Sequence, residues 1–305
     1  MSASPVVQST RLAILIPFAI VTLIWGSTWI VIRDQLNVVP PSWSVSYRFL
    51  VGGVAMIIYA VIRREPLRLD ARGWAFATLL AVLQFCLNFN FVYRAEAHIT
   101  SGLVAVVFGL LLIPNALLGR FLLGQHLGRQ LLLGSAVAMA GVGLLFVHEA
   151  RVDPNGPGEA LLGIGITMLG VISASFANIL QATETAKRYP MGTMLAAAML
   201  LGALIDAVIA WSFTGPPIVE WRPAYFLGVL YLGVVASAIA FTLYFGVLRV
   251  IGPAKAAYSS VLVPIIAMLL STLFEGYRWS PLAISGAALA MIGLVIALRA
   301  RRPDA

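Results

Sequence analysis

Charge in this chain is confined to short segments, and the stretches between them are long enough to leave water altogether. Uncharged runs cover residues 12–32, 73–93, 99–119, 130–147, 160–183, 223–248, 256–274 and 279–298. Two further runs, 43–62 and 191–213, are each broken by one charge, Arg48 and Asp206. Spanning ~30 Å of hydrocarbon takes ~20 helical residues at ~1.5 Å each. The pattern therefore predicts ten helices, five before the segment Asp153-Pro-Asn-Gly-Pro157 and five after it. Composition agrees: 61% of residues are hydrophobic and 10% charged, where soluble domains carry roughly 25% charged residues.

The end of the chain also repeats its middle. Gly134-Ser-Ala-Val-Ala-Met-Ala-Gly141 returns 152 residues later as Gly286-Ala-Ala-Leu-Ala-Met-Ile-Gly293, with five of eight positions identical. The same register, within two residues, aligns Pro114 with Pro264 and Tyr93 with Phe245. Two units follow, 1–152 and 153–305, each expected to cross the membrane five times. A unit with an odd number of crossings must enter upside down when it is repeated. The expected fold is thus all-α and integral to the membrane, with ten transmembrane helices as two inverted five-helix repeats. Secondary transporters use this architecture, with a substrate site between the halves.

Basic residues orient the spans, because Lys and Arg are retained on the cytoplasmic side. With the N-terminus inside, cytoplasmic segments hold 14 of the 20 basic residues, while Asp34, Glu96, Glu149, Asp153, Glu159, Glu220 and Glu275 fall outside. Both termini are then cytoplasmic, in a multi-pass protein of the inner membrane. The net charge of +8 reads as this topology signal, and no nucleic-acid partner is expected. The first run is longer than a signal-peptide core and is read as a retained helix. Cys86 stands alone, and His98, His126 and His148 lie at span ends without metal-ligand spacing. No HExxH, GxSxG or P-loop pattern occurs. Neither enzymatic chemistry, a metal nor a cofactor is expected; the partners are a small amino acid-like molecule and the lipid bilayer, and the simplest assembly is a monomer.

Polar side chains inside spans are costly in lipid and face a cavity or a neighbouring helix. Gln84 and Asn88, four apart, share one face of the third helix, extended by Phe91. Ser175, Asn178 and Gln181 step along the sixth. Phe108 and Asn115 share a face of the fourth; Ser237, Phe241 and Phe245 share one of the eighth. Trp25 and Tyr258 add aromatic surface with a polar tip. The expected wall is Trp25, Gln84, Asn88, Phe91, Phe108, Asn178, Ser237, Phe241 and Tyr258. Each of these taken singly also fits plain helix–helix bonding or packing. Arg48 and Asp206 invite pairing as a structural ion pair between helices two and seven, against the alternative that Arg48 reaches for the interface. Gly102, Pro114, Gly252 and Pro264 mark expected hinges, since a mid-helix proline removes a backbone bond.

These residues have a familiar arrangement. Leu23-Ile-Trp-Gly-Ser-Thr-Trp29, Tyr47-Arg-Phe49, Cys86-Leu-Asn-Phe-Asn-Phe-Val-Tyr93, Ile113-Pro114 and residues 134–143 resemble the EamA repeat of the drug/metabolite transporter superfamily. Gly252-Pro-Ala-Lys-Ala256, Val263-Pro264 and residues 286–293 match it again. The resemblance implies ten helices in two inverted units, cytoplasmic termini and export of metabolites by alternating access. Within the superfamily the chain is most similar to the YddG type of aromatic amino acid and methionine exporters. Two departures stand out. Where the family often has a Glu after its fourth helix this chain has Gln125, although Glu275 is kept in the second unit. Runs 12–32 and 160–183 hold no carboxylate of the kind that the small multidrug branch uses, which disfavours drug-cation/proton exchange.

Overall fold

The computed structural model describes residues 5–124, 128–152, 157–256 and 259–298. Ten apolar helices run through them: α1 (Pro5–Gln35), α2 (Pro41–Ile62), α3 (Ala71–Ala95), α4 (Ser101–Leu123), α5 (Arg129–Val152), α6 (Pro157–Gln181), α7 (Met191–Thr214), α8 (Pro223–Ile251), α9 (Ser259–Phe274) and α10 (Pro281–Leu298). Two single-turn helices, Glu184–Lys187 and Pro253–Ala256, lie in connections. Three of them, α2, α8 and α10, begin on proline, whose fixed φ suits the first helical turn and whose missing N–H costs nothing there. Large apolar side chains such as Leu50, Ile58, Leu204, Trp211, Phe213 and Phe274 lie exposed on the outside. That surface suits hydrocarbon and no other solvent. The segment 153–156 that divides the expected units lies outside the described residues.

The repeat seen in the sequence packs against itself. A Cβ on Gly141 would lie 2.2 Å from the Ala290 nitrogen and 2.6 Å from the Gly286 oxygen; one on Gly293 would lie 2.2 Å from the Ala138 nitrogen and 2.6 Å from the Gly134 oxygen. Equivalent positions thus exchange equivalent contacts, and α5 and α10 run antiparallel about a local two-fold axis. Small residues are what allow two backbones to come this close where lipid provides no hydrophobic drive. The connections follow the same logic. At one end the α2–α3 segment meets the α6–α7 segment, where Tyr189 donates to Asp70 Oδ1 at 2.7 Å and Thr193 N–H donates to Glu65 Oε2 at 2.9 Å. The Tyr189 hydroxyl and then the Gly73 N–H hold the Asp70 carboxyl below its ordinary range. At the other end the α7–α8 segment meets the α1–α2 segment, with Arg222 gripping both Asp34 oxygens at 3.0 and 2.8 Å.

Three departures from regular helix matter for the interior. Residues Ala81–Asn88 of α3 and Tyr231–Ile239 of α8 are π-helical, at matching places in the two halves. Such wide turns insert an extra residue and recur at functional sites. Helix α4 breaks between Gly109 and Leu112, where i→i+3 bonds replace the regular ladder (Leu110 N–H to Val107 O, 3.0 Å; Leu111 N–H to Phe108 O, 3.0 Å). Pro114 has no N–H to offer the Leu110 carbonyl, which explains the break. Pro264, in contrast, sits inside an unbroken α9. Gly252 ends α8 with φ 84°, a left-handed conformation that favours glycine. Gly102 is a close-approach residue, since a Cβ there would lie 2.7 Å from Met268 Sδ.

The α5–α10 contact gives a paired prediction. Gly141→Ala pushes a methyl into backbone that cannot retreat and is expected to cost about 1–3 kcal/mol. Gly143 has nothing within 4 Å of the same position, so Gly143→Ala is expected to leave stability unchanged or raise it. Thermal unfolding of the two variants in detergent separates these outcomes.

Candidate functional site

Between the halves lies a cavity of about 80 Å³, enough for a few water molecules and smaller than the usual 300–1,000 Å³ small-molecule site. Its wall comes from α1, α2, α3, α4, α6, α8 and α9. Aromatic rings dominate it. Trp25 lies 5.3 Å from Phe241 and 4.9 Å from Tyr244 between ring centroids, and Trp29 lies 5.6 Å from Phe108. Phe241 also meets Phe89 edge-on at 6.1 Å. Spacing explains the set. Trp25 and Trp29 are one turn apart on α1, and Phe241 and Tyr244 share a face of α8. Trp25 Nε1 is secured by the Ala236 carbonyl at 3.2 Å, so its ring is held in place across the interface between the halves.

The polar groups in this wall include Thr28, Gln84, Asn88, Asn178 and Arg48, and among the described residues Arg48 is its single charge. Arg48 is 1% exposed. Its Nε donates to Ser237 Oγ at 2.9 Å, and its Cζ sits 4.2 Å from the centre of the Phe89 ring. Ser237 in turn donates to the Leu232 carbonyl five residues back, at 2.7 Å, a bond that the wide π turn makes possible. Arg48 Nη1 and Asn88 Oδ1 are buried without a hydrogen-bond partner. Asn178 donates across to Asn115 Oδ1 on α4 at 3.4 Å. The cavity therefore offers a fixed cation, a free acceptor and tilted aromatic rings within one enclosure.

Of the residues expected in the wall, Trp25, Gln84, Asn88, Phe108, Asn178 and Phe241 line it together. Ser237 does not line it and instead holds Arg48 from behind. Phe91 is also absent from the wall; its Cβ lies against Gly170 of α6. The extra residue of the π turn moves the cavity-facing register of α3 on to Phe89 and Val92, which a regular 3.6-residue count misses. Tyr258 lies outside the described residues, as does Gln125. Sequence reasoning passed over Trp29, Phe89 and Tyr244 as wall members, although Trp29 was legible one turn beyond Trp25.

The expected ion pair does not form. Arg48 turns to Ser237 and the Phe89 face, while Asp206 Oδ1 accepts from Asn90 Nδ2 at 2.7 Å on the far side of α3. Asn90 Oδ1 accepts in turn from Ser42 at 2.6 Å. Nor does Arg48 reach the interface, since the ring and hydroxyl already satisfy part of it inside the protein. Helices α2 and α7 are held together by other contacts, among them Ser46 Oγ to the Ala203 carbonyl at 2.8 Å.

Fold and cavity together define a multi-pass membrane transporter. The sequence profile of the EamA-like transporter family matches twice, over residues 12–147 and 161–299, and the chain belongs to that family, within the drug/metabolite transporter superfamily. Among its relatives, protein PagO of Salmonella typhimurium is 25% identical over 294 residues, 95% of this chain and 94% of that protein. The uncharacterized inner membrane transporter YedA of Escherichia coli is 28% identical over 278 residues, 90% of this chain and 87% of that one. A solved crystal structure with 23% sequence identity has the same fold, at a TM-score of 0.70 over 96% of this chain and 99% of its own.

Separate environments for Arg48 and Asp206 predict that exchanging the two charges will not rescue protein lost on neutralising either. Asn90→Ala, which removes the Asn90 donor from Asp206, is expected to cost about 1–3 kcal/mol. Amounts of folded protein measured by size-exclusion chromatography from solubilised membranes check both.

Proposed function

We propose that the protein exports amino acids with large apolar or aromatic side chains by alternating access, in the manner of the YddG-type exporters it resembles. The observation that carries this reading is Arg48, a buried cation with Nη1 unpartnered in an otherwise aromatic wall. A guanidinium recognises a carboxylate with strong, directional hydrogen bonds. Asn88 Oδ1 accepts from an ammonium, with Gln84 and Asn178 close by in the same wall. Trp25, Trp29, Phe108 and Phe241 enclose the apolar side chain. The substrate moves as a zwitterion whose two charges are met separately, so no ion of either sign crosses bare hydrocarbon. Transport needs the cavity to open alternately to each side; the broken α4 at Pro114 and the glycine turn at Gly252 are the segments that bend. Termini on the cytoplasmic side follow from the distribution of basic residues.

An exporter of drugs or other metabolites is the competing reading in this fold, and a membrane scaffold or receptor without transport is the other. A cationic drug gains nothing from a wall whose single charge is positive. Counterflow of labelled phenylalanine into liposomes containing the purified protein decides the matter. Uptake above empty vesicles is expected, with phenylalanine amide, which lacks the carboxylate, competing at least about tenfold more weakly, equivalent to 1.4 kcal/mol. Arg48→Gln is expected to raise KM by a similar factor in liposomes that hold equal amounts of folded protein. Equal competition by the amide removes Arg48 as the anchor, and no uptake removes the exporter reading.

A further inference from the structure

A second group of charges lies away from the amides of the cavity, where the α3–α4 and α9–α10 connections meet the end of α1. Glu275, just past α9, accepts from Ser101 Oγ at 2.8 Å and from Ser101 N–H at 3.4 Å on α4. It accepts also from Ser271 Oγ on α9, and Arg33 Nε of α1 lies 4.0 Å from it. One carboxylate thus ties three helices together at this end. Glu96, immediately after α3, is fully buried, and neither of its carboxylate oxygens has a hydrogen-bond partner. Nothing in the wall of the cavity uses it.

An ionised carboxylate without hydrogen bonds, out of water, is among the most costly groups a protein can hold, and such a group takes up a proton instead. We propose that Glu96, backed by Glu275, is a proton-binding site whose occupancy is linked to that of the cavity. The linkage rests on the substrate reading given above; the proton site itself does not.

The charged and titratable groups around Glu96 come from four places: Arg33 on α1, Arg48 on α2, Tyr93 on α3 and Glu275 beyond α9. Burial pushes the Glu96 carboxyl well above its ordinary range and Glu275 adds to this, while Arg33 and Arg48 pull the other way. Arg48 therefore acts on Glu96 and on the cavity at once. With the cavity empty, its charge favours ionised Glu96. When a substrate carboxylate neutralises Arg48, that support is lost and Glu96 takes one proton from water; release of the substrate returns it. The sign follows. Binding tightens as pH falls through the window between the pKa values of the empty and occupied forms. Within that window each pH unit changes the apparent Kd by up to about tenfold, since one proton is linked to one ligand.

Binding of L-phenylalanine to the purified full-length protein, measured from acid to neutral pH, tests the linkage. The wild type is expected to weaken as pH rises. Glu96→Gln, which mimics the protonated form, is expected to bind at the tight acid limit with no pH dependence. Glu275→Gln removes the repulsive neighbour and is expected to move the window to lower pH. Infrared difference spectra between acid and neutral protein without ligand test the proton site independently. A protonated-carboxyl C=O band is expected in the wild type and absent from Glu96→Gln. A band unchanged in that variant overturns the proton site, and a pH-independent wild-type Kd overturns the linkage. Failure of phenylalanine to bind at any pH overturns the substrate reading and the linkage with it, while the infrared result still decides whether Glu96 holds the proton.

Discussion

Hydrocarbon offers the backbone no hydrogen-bond partner, and every feature of this protein is arranged around that fact. A peptide group facing lipid must be satisfied within its own segment, so the chain resolves into helices with short connections. The irregular backbone of α3, α4 and α8 carries buried residues toward the interior. Gln84 and Asn88 lie in the π stretch of α3, Ser237 lies in that of α8, and Leu111 lies in the break of α4. Gln84, Asn88 and Leu111 line the cavity, and Ser237 supports the arginine that does. The deviations from ideal geometry therefore trace the outline of the site.

The same solvent sets how the halves are joined. Lipid gives apolar helices no reason to prefer each other, so association relies on close packing and on polar contacts that have nowhere else to go. The glycines of the repeated segment bring the α5 and α10 backbones into direct contact. Buried polar side chains do the rest, in chains such as Ser42–Asn90–Asp206 and Leu232–Ser237–Arg48. Those networks explain why a buried aspartate and a buried arginine persist in one protein without pairing. Each found partners close by before it could find the other.

Near-symmetry makes the exceptions informative. Both halves carry a π stretch and a matching proline, yet the proline breaks α4 and leaves α9 whole. Glu275 ties α1, α4 and α9 at one end, while the corresponding position of the first half is a glutamine. A carboxylate at this position in one half and an amide in the other breaks the repeat where α1, α4 and α9 meet.

The number of spans, their all-helical nature, the repeat and six residues of the cavity wall were legible in the sequence, because each depends on periodicity and on the cost of charge in lipid. Trp25, Gln84, Asn88, Phe108, Asn178 and Phe241 could be read from spacing and residue type alone. The partners of Arg48 could not. Whether a buried charge meets an opposite charge, a ring or a hydroxyl depends on how helices far apart in sequence are rotated against one another. The exclusion of Phe91 and the inclusion of Phe89 depended likewise on one extra residue in a π turn, which leaves no mark in hydropathy. Composition determined that this chain lives in a membrane and how often it crosses; only the packing of the helices decided which side chains share the enclosure, because a rotation of a single residue carries a group from the cavity to its neighbour.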